Sequence, residues 1–261
     1  MNQDDTVEGI RLGVDGGLAT ITLALPRSKN AFRTEDASAL SARLDEAIAA
    51  GARCVVLRAE GAATFCAGWD VSSIRPGKDD PAAMIEEVVG PLLRRLRSLP
   101  VPTVSVVQGA ALGFGFGLAL SCDICVAEEA ALFGSPFRNI GMVPDSGTHF
   151  FLRERLGQAM AAELVFTGRL MPGSEAAQLG LINRAVPAAA LDDVASTLVA
   201  EIASGPTVAL RLSKEILLAG GDFDAVLAHE ARQLRAVFTT ADLREGITAF
   251  QQRRKPEFSG R

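Results

Sequence analysis

The chain has 261 residues, 48% of them hydrophobic, with 26 basic against 31 acidic side chains and a net charge of −5. That length buries a sizeable core, and that hydrophobic content excludes a chain disordered throughout. The acidic balance, whose tightest basic cluster is Arg253-Arg254-Lys255, argues against a surface that tracks nucleic-acid phosphates.

The opening stretch MNQDDTVEG is acidic and polar and carries no secretory signal. Cys54, Cys66, Cys122 and Cys125 suit a reducing compartment, so a cytoplasmic location is expected. EGIRLGVDGGLATITLAL alternates apolar and other residues around Asp15-Gly16-Gly17, a hairpin signal. A helix follows from Thr34, with apolar residues recurring at Leu40, Leu44 and Ile48. RCVVLRAE reads as a β-branched strand, PAAMIEEVVGPLLRRLRSL as a helix bent at Pro91, and TVSVV as a further strand. The glycine-rich GAALGFGFGLALSCD comes next, then SCDICVAEE as another strand. Strands alternating with helices give an α/β class. From Pro206 the pattern changes to three amphipathic helical segments with no strand between them. The expected division is therefore a core over 1–205 and a helical region over 206–261.

The glycines admit three readings. Val101 to Cys122 carries no charge and is long enough to span a bilayer, but it holds Pro102 and Gln108, opens as a strand and runs into Asp123. Gly113-x-Gly115-x-Gly117 is not the full dinucleotide fingerprint, and no Lys-Ser/Thr of a phosphate loop follows. In the third reading, a helix starting near Gly113-Phe114 presents free N–H groups at its positive end, able to hold negative charge developing on an oxygen. FCAGWD, Phe65 to Asp70, supplies a partner loop after the preceding strand. Cys122 and Cys125 have metal-site spacing, but no second pair or nearby His completes a site, so they read as small core residues and no metal is expected.

FCAGWD and VQGAALGFGFGLALSCD together resemble the crotonase superfamily, the enoyl-CoA hydratase/isomerase family. PRSKNAF, FGSPFRNIGMVPDSG, VFTGRLMPGSEAAQLGLIN and REGITAFQQRRKPEF extend the resemblance, in order, over nearly the whole chain. It implies a crotonase-like spiral of ββα units with a helical C-terminal trimerisation region, assembled as a homotrimer or as a hexamer of paired trimers. It also implies an acyl-CoA thioester substrate, with coenzyme A carried as part of the substrate and no separate cofactor. Carried over by position, the backbone N–H groups of Trp69 and Phe114 form an oxyanion hole for the thioester oxygen. Lys29 and Arg27 would meet the CoA phosphates, solvated surface charge being the competing account. Ala31, Ala67, Gly68 and Gly113 belong to the loops that cradle CoA and thioester. Phe250 and Arg253 to Lys255 would complete a neighbouring subunit's CoA site or simply pack between subunits.

Two departures stand out. The glutamates of the hydratases would fall at Gly117 and Phe137, and both are absent. Asp145, in GMVPDSG, stands where isomerase branches carry an acid. The residues alone leave it open as a proton shuttle or as the cap of a helix starting at Ser146. An apolar pocket of Trp69, Phe114, Phe116 or Phe137 would raise its pKa. His149, four residues on, is expected one helical turn along the same face, tuning Asp145 or lining the pocket, with a partly exposed helix residue as the commoner account. The expected activity is an enoyl-CoA isomerase-type reaction through an enolate. Its rivals are a hydratase of non-standard arrangement, an aromatic acyl-CoA dehalogenase or hydrolase with Asp145 as nucleophile, and a non-catalytic acyl-CoA-binding member.

Overall fold

The computed structural model describes residues 9–25, 29–61, 64–75 and 77–261. β1 (Gly9–Asp15) and β2 (Leu18–Ala24) form an antiparallel hairpin. Gly16 and Gly17 both take positive φ (54° and 83°), the conformation that a two-residue turn between right-twisted strands requires. β2 then pairs in parallel with β3 (Cys54–Ala59) across helix α1 (Thr34–Ala49), which buries Leu40 and Leu44 as its spacing predicts. β4 (Thr103–Val107), β6 (Ile124–Glu128) and β9 (Arg184–Val186) continue the parallel sheet, in the order β1-β2-β3-β4-β6-β9. A second, three-stranded sheet has the order β5 (Ala110–Leu112), β7 (Leu132–Gly134), β8 (Met171–Pro172).

The central strands are covered on both faces, which is why they read as unbroken apolar runs. On β3, Val55 and Leu57 face the main core, while Cys54 and Val56 face helix α7 (Leu191–Ala203) through Ala195 and Val199. Helix α4 (Phe114–Leu120) is buried along its whole length in the main core. Its glycines make that possible: a Cβ on Gly115 would fall 2.3 Å from the Cys66 carbonyl oxygen, and one on Gly117 2.0 Å from that of Ser146. The other helices of the core are α5 (Thr148–Thr167), interrupted at Gly157, and α6 (Gly173–Gln178).

The helix bent at Pro91 is built differently from expectation. α2 (Pro81–Met84) runs into a π turn at Ile85–Val89 and then α3 (Gly90–Arg97). The Gly90 N–H reaches back to the Ile85 carbonyl, where a Cβ on Gly90 would come within 2.7 Å. A proline at position 91, lacking an N–H, and a glycine at 90 together widen the turn instead of breaking the helix.

Beyond the core lie α8 (Thr207–Ala219), α9 (Phe223–Val237) and α10 (Ala241–Gln252), the three expected amphipathic helices. α9 buries no residue, and Phe223, Leu234, Phe238 and Phe250 are exposed. The tail folds back on α10, where the buried Asp242 carboxylate accepts from the backbone N–H groups of Ser259 and Gly260. Among the described residues no helix is long and apolar enough to cross a membrane, and no cluster of three His, Cys, Asp or Glu could hold a metal. All four cysteines are free and buried.

Candidate active site

Four segments far apart in sequence pack around the first turns of α4. The loop at Lys29–Phe32 pairs with the loop after β3: Ala67 N–H donates to the Lys29 carbonyl, Phe32 N–H to Gly68, and Asp70 N–H to Phe32. Lys29 and Asn30 both adopt positive φ (53° and 55°), a conformation that asparagine tolerates better than most residues. Asn30 is buried and fixes the loop, accepting from Leu25 N–H through Oδ1 and donating through Nδ2 to the Thr64 carbonyl. Sequence reasoning missed it as a supporting residue, although a lone Asn before an apolar pair in a turn was a usable signal. Lys29 is exposed beside this junction, and Arg27 lies outside the described residues.

Gly68 has φ +117°; a Cβ there would lie 3.1 Å from the Leu112 carbonyl oxygen and 3.9 Å from the Phe114 nitrogen. Gly113 caps α4 with φ 54°, and a Cβ on it would lie 3.9 Å from the Gly68 Cα. The two glycines therefore let two backbones meet face to face. Among the described residues neither the Trp69 nor the Phe114 N–H has a hydrogen-bond partner. The Phe114 ring packs on Phe32 at 4.9 Å and edge-on against Trp69 at 5.5 Å, which holds both loops from beneath. Phe137 closes another side, its ring edge 3.1 Å from where a Gly113 Cβ would stand.

The Pro144–Gly147 turn lies against the next turn of α4, through the contact of Ser146 with Gly117. Ser146 is buried with φ 55°, and its hydroxyl donates to Asp145 Oδ1 at 2.8 Å. Burial pushes the Asp145 carboxyl above the ordinary carboxylate range, against hydrogen bonds from Ser146 and its own N–H. The capping alternative for Asp145 is not what the geometry shows. α5 begins at Thr148 with Gly147 as N-cap, and the Thr148 N–H is taken by the Asp145 main-chain carbonyl. For His149 the exposed helix residue is what the structure shows, and the tuning of Asp145 from one face is not. Asp145 precedes the helix, so the two are not one turn apart on a face; His149 is exposed and is not among the charges acting on Asp145. Ala67 and Ala31 border the paired loops and are half-buried. In the tail, Arg254 is already paired with Glu245 of its own chain at 2.6 Å.

Comparison with known proteins bears on the family and the fold. A sequence profile of the enoyl-CoA hydratase/isomerase family matches residues 13–261. The chain belongs to that family. Among enoyl-CoA hydratase/isomerase relatives, it is 33% identical to a 1,2-epoxyphenylacetyl-CoA isomerase of Escherichia coli, over 98% of this chain and 100% of that one. It is 30% identical to a short-chain-enoyl-CoA hydratase of Clostridium acetobutylicum, over 96% and 97% of the two chains. A solved structure of an enoyl-CoA hydratase from Bacillus anthracis superimposes with a TM-score of 0.90 at 28% identity, covering 97% of this chain and all of that one. The family thus spans both reaction types among its relatives, and the crotonase fold expected from the motifs is the fold observed.

Proposed function

We propose that this family member is an enoyl-CoA isomerase acting through a thioester enolate, with Asp145 as its single acid/base. One observation carries the reading. Gly117, the first hydratase glutamate position, is filled against by the Ser146 main chain, so the turn bearing Asp145 occupies the space a glutamate would need. Phe137 stands at the second position, leaving one half-buried carboxyl with a raised pKa on the turn that packs against α4, whose first N–H, like that of Trp69, is unpartnered among the described residues. Two carboxylates are what orienting and deprotonating water for hydration calls for; one suffices to move a proton within a substrate.

In the proposed reaction the Asp145 carboxylate removes a proton from the carbon α to the thioester. The electron pair passes to the thioester oxygen, which the Trp69 and Phe114 N–H groups stabilise. Reprotonation by Asp145 at the γ carbon moves the double bond from β,γ to α,β. The loss of one such donor typically costs roughly a hundredfold or more in rate. CoA travels with the substrate, and Lys29 is the candidate for its phosphates. We further assign the exposed apolar faces of α9 and α10 to subunit packing in a trimer or paired trimers, and the free thiols accord with a cytoplasmic setting.

The test is a trans-3-enoyl-CoA incubated in heavy water, followed by ultraviolet absorbance and mass spectrometry. Conjugation with deuterium incorporation in wild type, lost in Asp145→Asn, is the expected result. Water addition, or turnover undiminished in Asp145→Asn, would overturn it.

A further inference from the structure

A cavity of about 400 Å³ opens between the π turn and the Ser146–Gly147 turn. Ile85, Val89 and Leu93 form one wall, and Phe150 and Phe151 the other. Ser146, whose hydroxyl holds Asp145, lies at one end, and Ser121, at the end of α4, lies along its floor. Ser146 packs on Gly117, about one turn of α4 from Phe114, and Ser121 lies seven residues from Phe114, about 10 Å along the helix axis, so the cavity flanks α4 on the side of the Asp145 turn. That length of helix is the span of a medium-length acyl chain, and the apolar walls suit its methylenes.

Its polar lining is not neutral. Arg94 and Arg97 both line it, and no carboxylate does. Among the described residues neither guanidinium has a hydrogen-bond or ion-pair partner, whereas their neighbour Arg95 is held by Asp45. Arg97 is half-buried, with its guanidinium carbon over the Phe150 and Phe151 rings at 5.0 and 5.4 Å. The acid that acts on it, Asp123, is engaged by Lys214 at 2.7 Å and by the Thr103 N–H and hydroxyl. Arg155, across Phe151, adds a further positive charge nearby. Placing Arg97 in a partly apolar wall without an anion is costly, and with the exposed Arg94 at the rim the cavity presents planar donor forks that match a carboxylate. The π turn that shapes this wall is itself a form concentrated at functional sites.

From this cavity we infer that the acyl group accepted here ends in a carboxylate: the substrate class is an ω-carboxyacyl-CoA, a half-thioester of a dicarboxylic acid, with Arg97, assisted by Arg94, binding the distal carboxylate. This rests on the acyl-CoA reading of the site and narrows it.

The experiment uses two unreactive ligands of equal chain length, octanoyl-CoA and suberyl-CoA, titrated by calorimetry and by the fluorescence of Trp69, the only tryptophan. Wild type should bind suberyl-CoA tighter by roughly tenfold or more, the scale of one hydrogen bond to a charged group. Arg97→Met keeps the apolar stem and should abolish that preference by weakening suberyl-CoA while leaving octanoyl-CoA as tight or tighter. Rescue of the preference by Arg97→Lys would mark the charge as the cause. Equal binding of both ligands by wild type, or an equal loss of both in Arg97→Met, overturns the inference and leaves the acyl-CoA reading standing. Binding of neither ligand overturns both.

Discussion

The Asp145 carboxyl carries its own cost. A carboxylic acid whose folded-state pKa is raised destabilises the fold when ionised; that cost is complete above the folded-state pKa and absent below the unfolded one. Asp145→Asn should therefore raise the urea midpoint at neutral pH while abolishing turnover, and the difference from wild type should close as the pH falls through the ordinary carboxylate range. The same shift places the acid limb of kcat/KM above that range, with activity falling as Asp145 takes up its proton. Gly117 gives a complementary prediction. Gly117→Glu restores the side chain of a hydratase, yet its Cβ would meet the Ser146 carbonyl at 2.0 Å. We expect a loss of at least about 1–3 kcal/mol, as for overpacked interiors, with displacement of the Asp145 turn and no hydratase activity. Far-ultraviolet circular dichroism melts and a crotonyl-CoA absorbance assay read both outcomes. The absence of the two glutamates was legible in the sequence; that the Ser146 main chain fills the first position was not, because residues 117 and 146 approach only in the folded chain.

At the scale of elements, the strands and helices were readable wherever one face had a period, as in the β1–β2 hairpin and α1. The π turn was not, since it depends on an i to i−5 hydrogen bond between Gly90 and Ile85 that carries no periodic signature. Nor was the anchoring of α8. Lys214 is 8% exposed at its side chain and bridges from α8 to Asp123, with a second bond to the Val101 carbonyl. Lys214 is buried while Asp123 reaches solvent, so removing the lysine loses charged hydrogen bonds without stranding a buried charge. Lys214→Met should cost about 1.5 kcal/mol, seen as a lowered urea midpoint. Thr103, which donates twice to the same Asp123 oxygen, limits the damage to the junction between α8 and the sheet.

The whole molecule shows why motif order was informative and site detail less so. The site draws on segments from Lys29 to Ser146, joined by backbone hydrogen bonds that ask little of side-chain identity beyond glycine where chains touch. Glycines and short motifs survive in a sequence; the convergence of Ser146 on Gly117 or of Arg97 on Phe151 does not show there. Outside the core, exposed Phe223, Leu234, Phe238 and Phe250 lie on helices that bury little of their own surface. Light scattering should report a mass above the monomer, and Phe238→Ser with Phe250→Ser should lower it with the core's circular dichroism retained. A last consequence lies in the thiols. Cys66 sits directly beneath Gly115 and one residue before the Ala67–Gly68 turn, its thiol pushed up to about 12 by burial. Its alkylation at neutral pH must wait for that turn to lift, whereas global unfolding exposes Cys54, Cys122 and Cys125 as well. Peptide-resolved labelling would therefore time the breathing of the oxyanion loop separately from unfolding of the chain, and a bound thioester should slow the Cys66 signal alone.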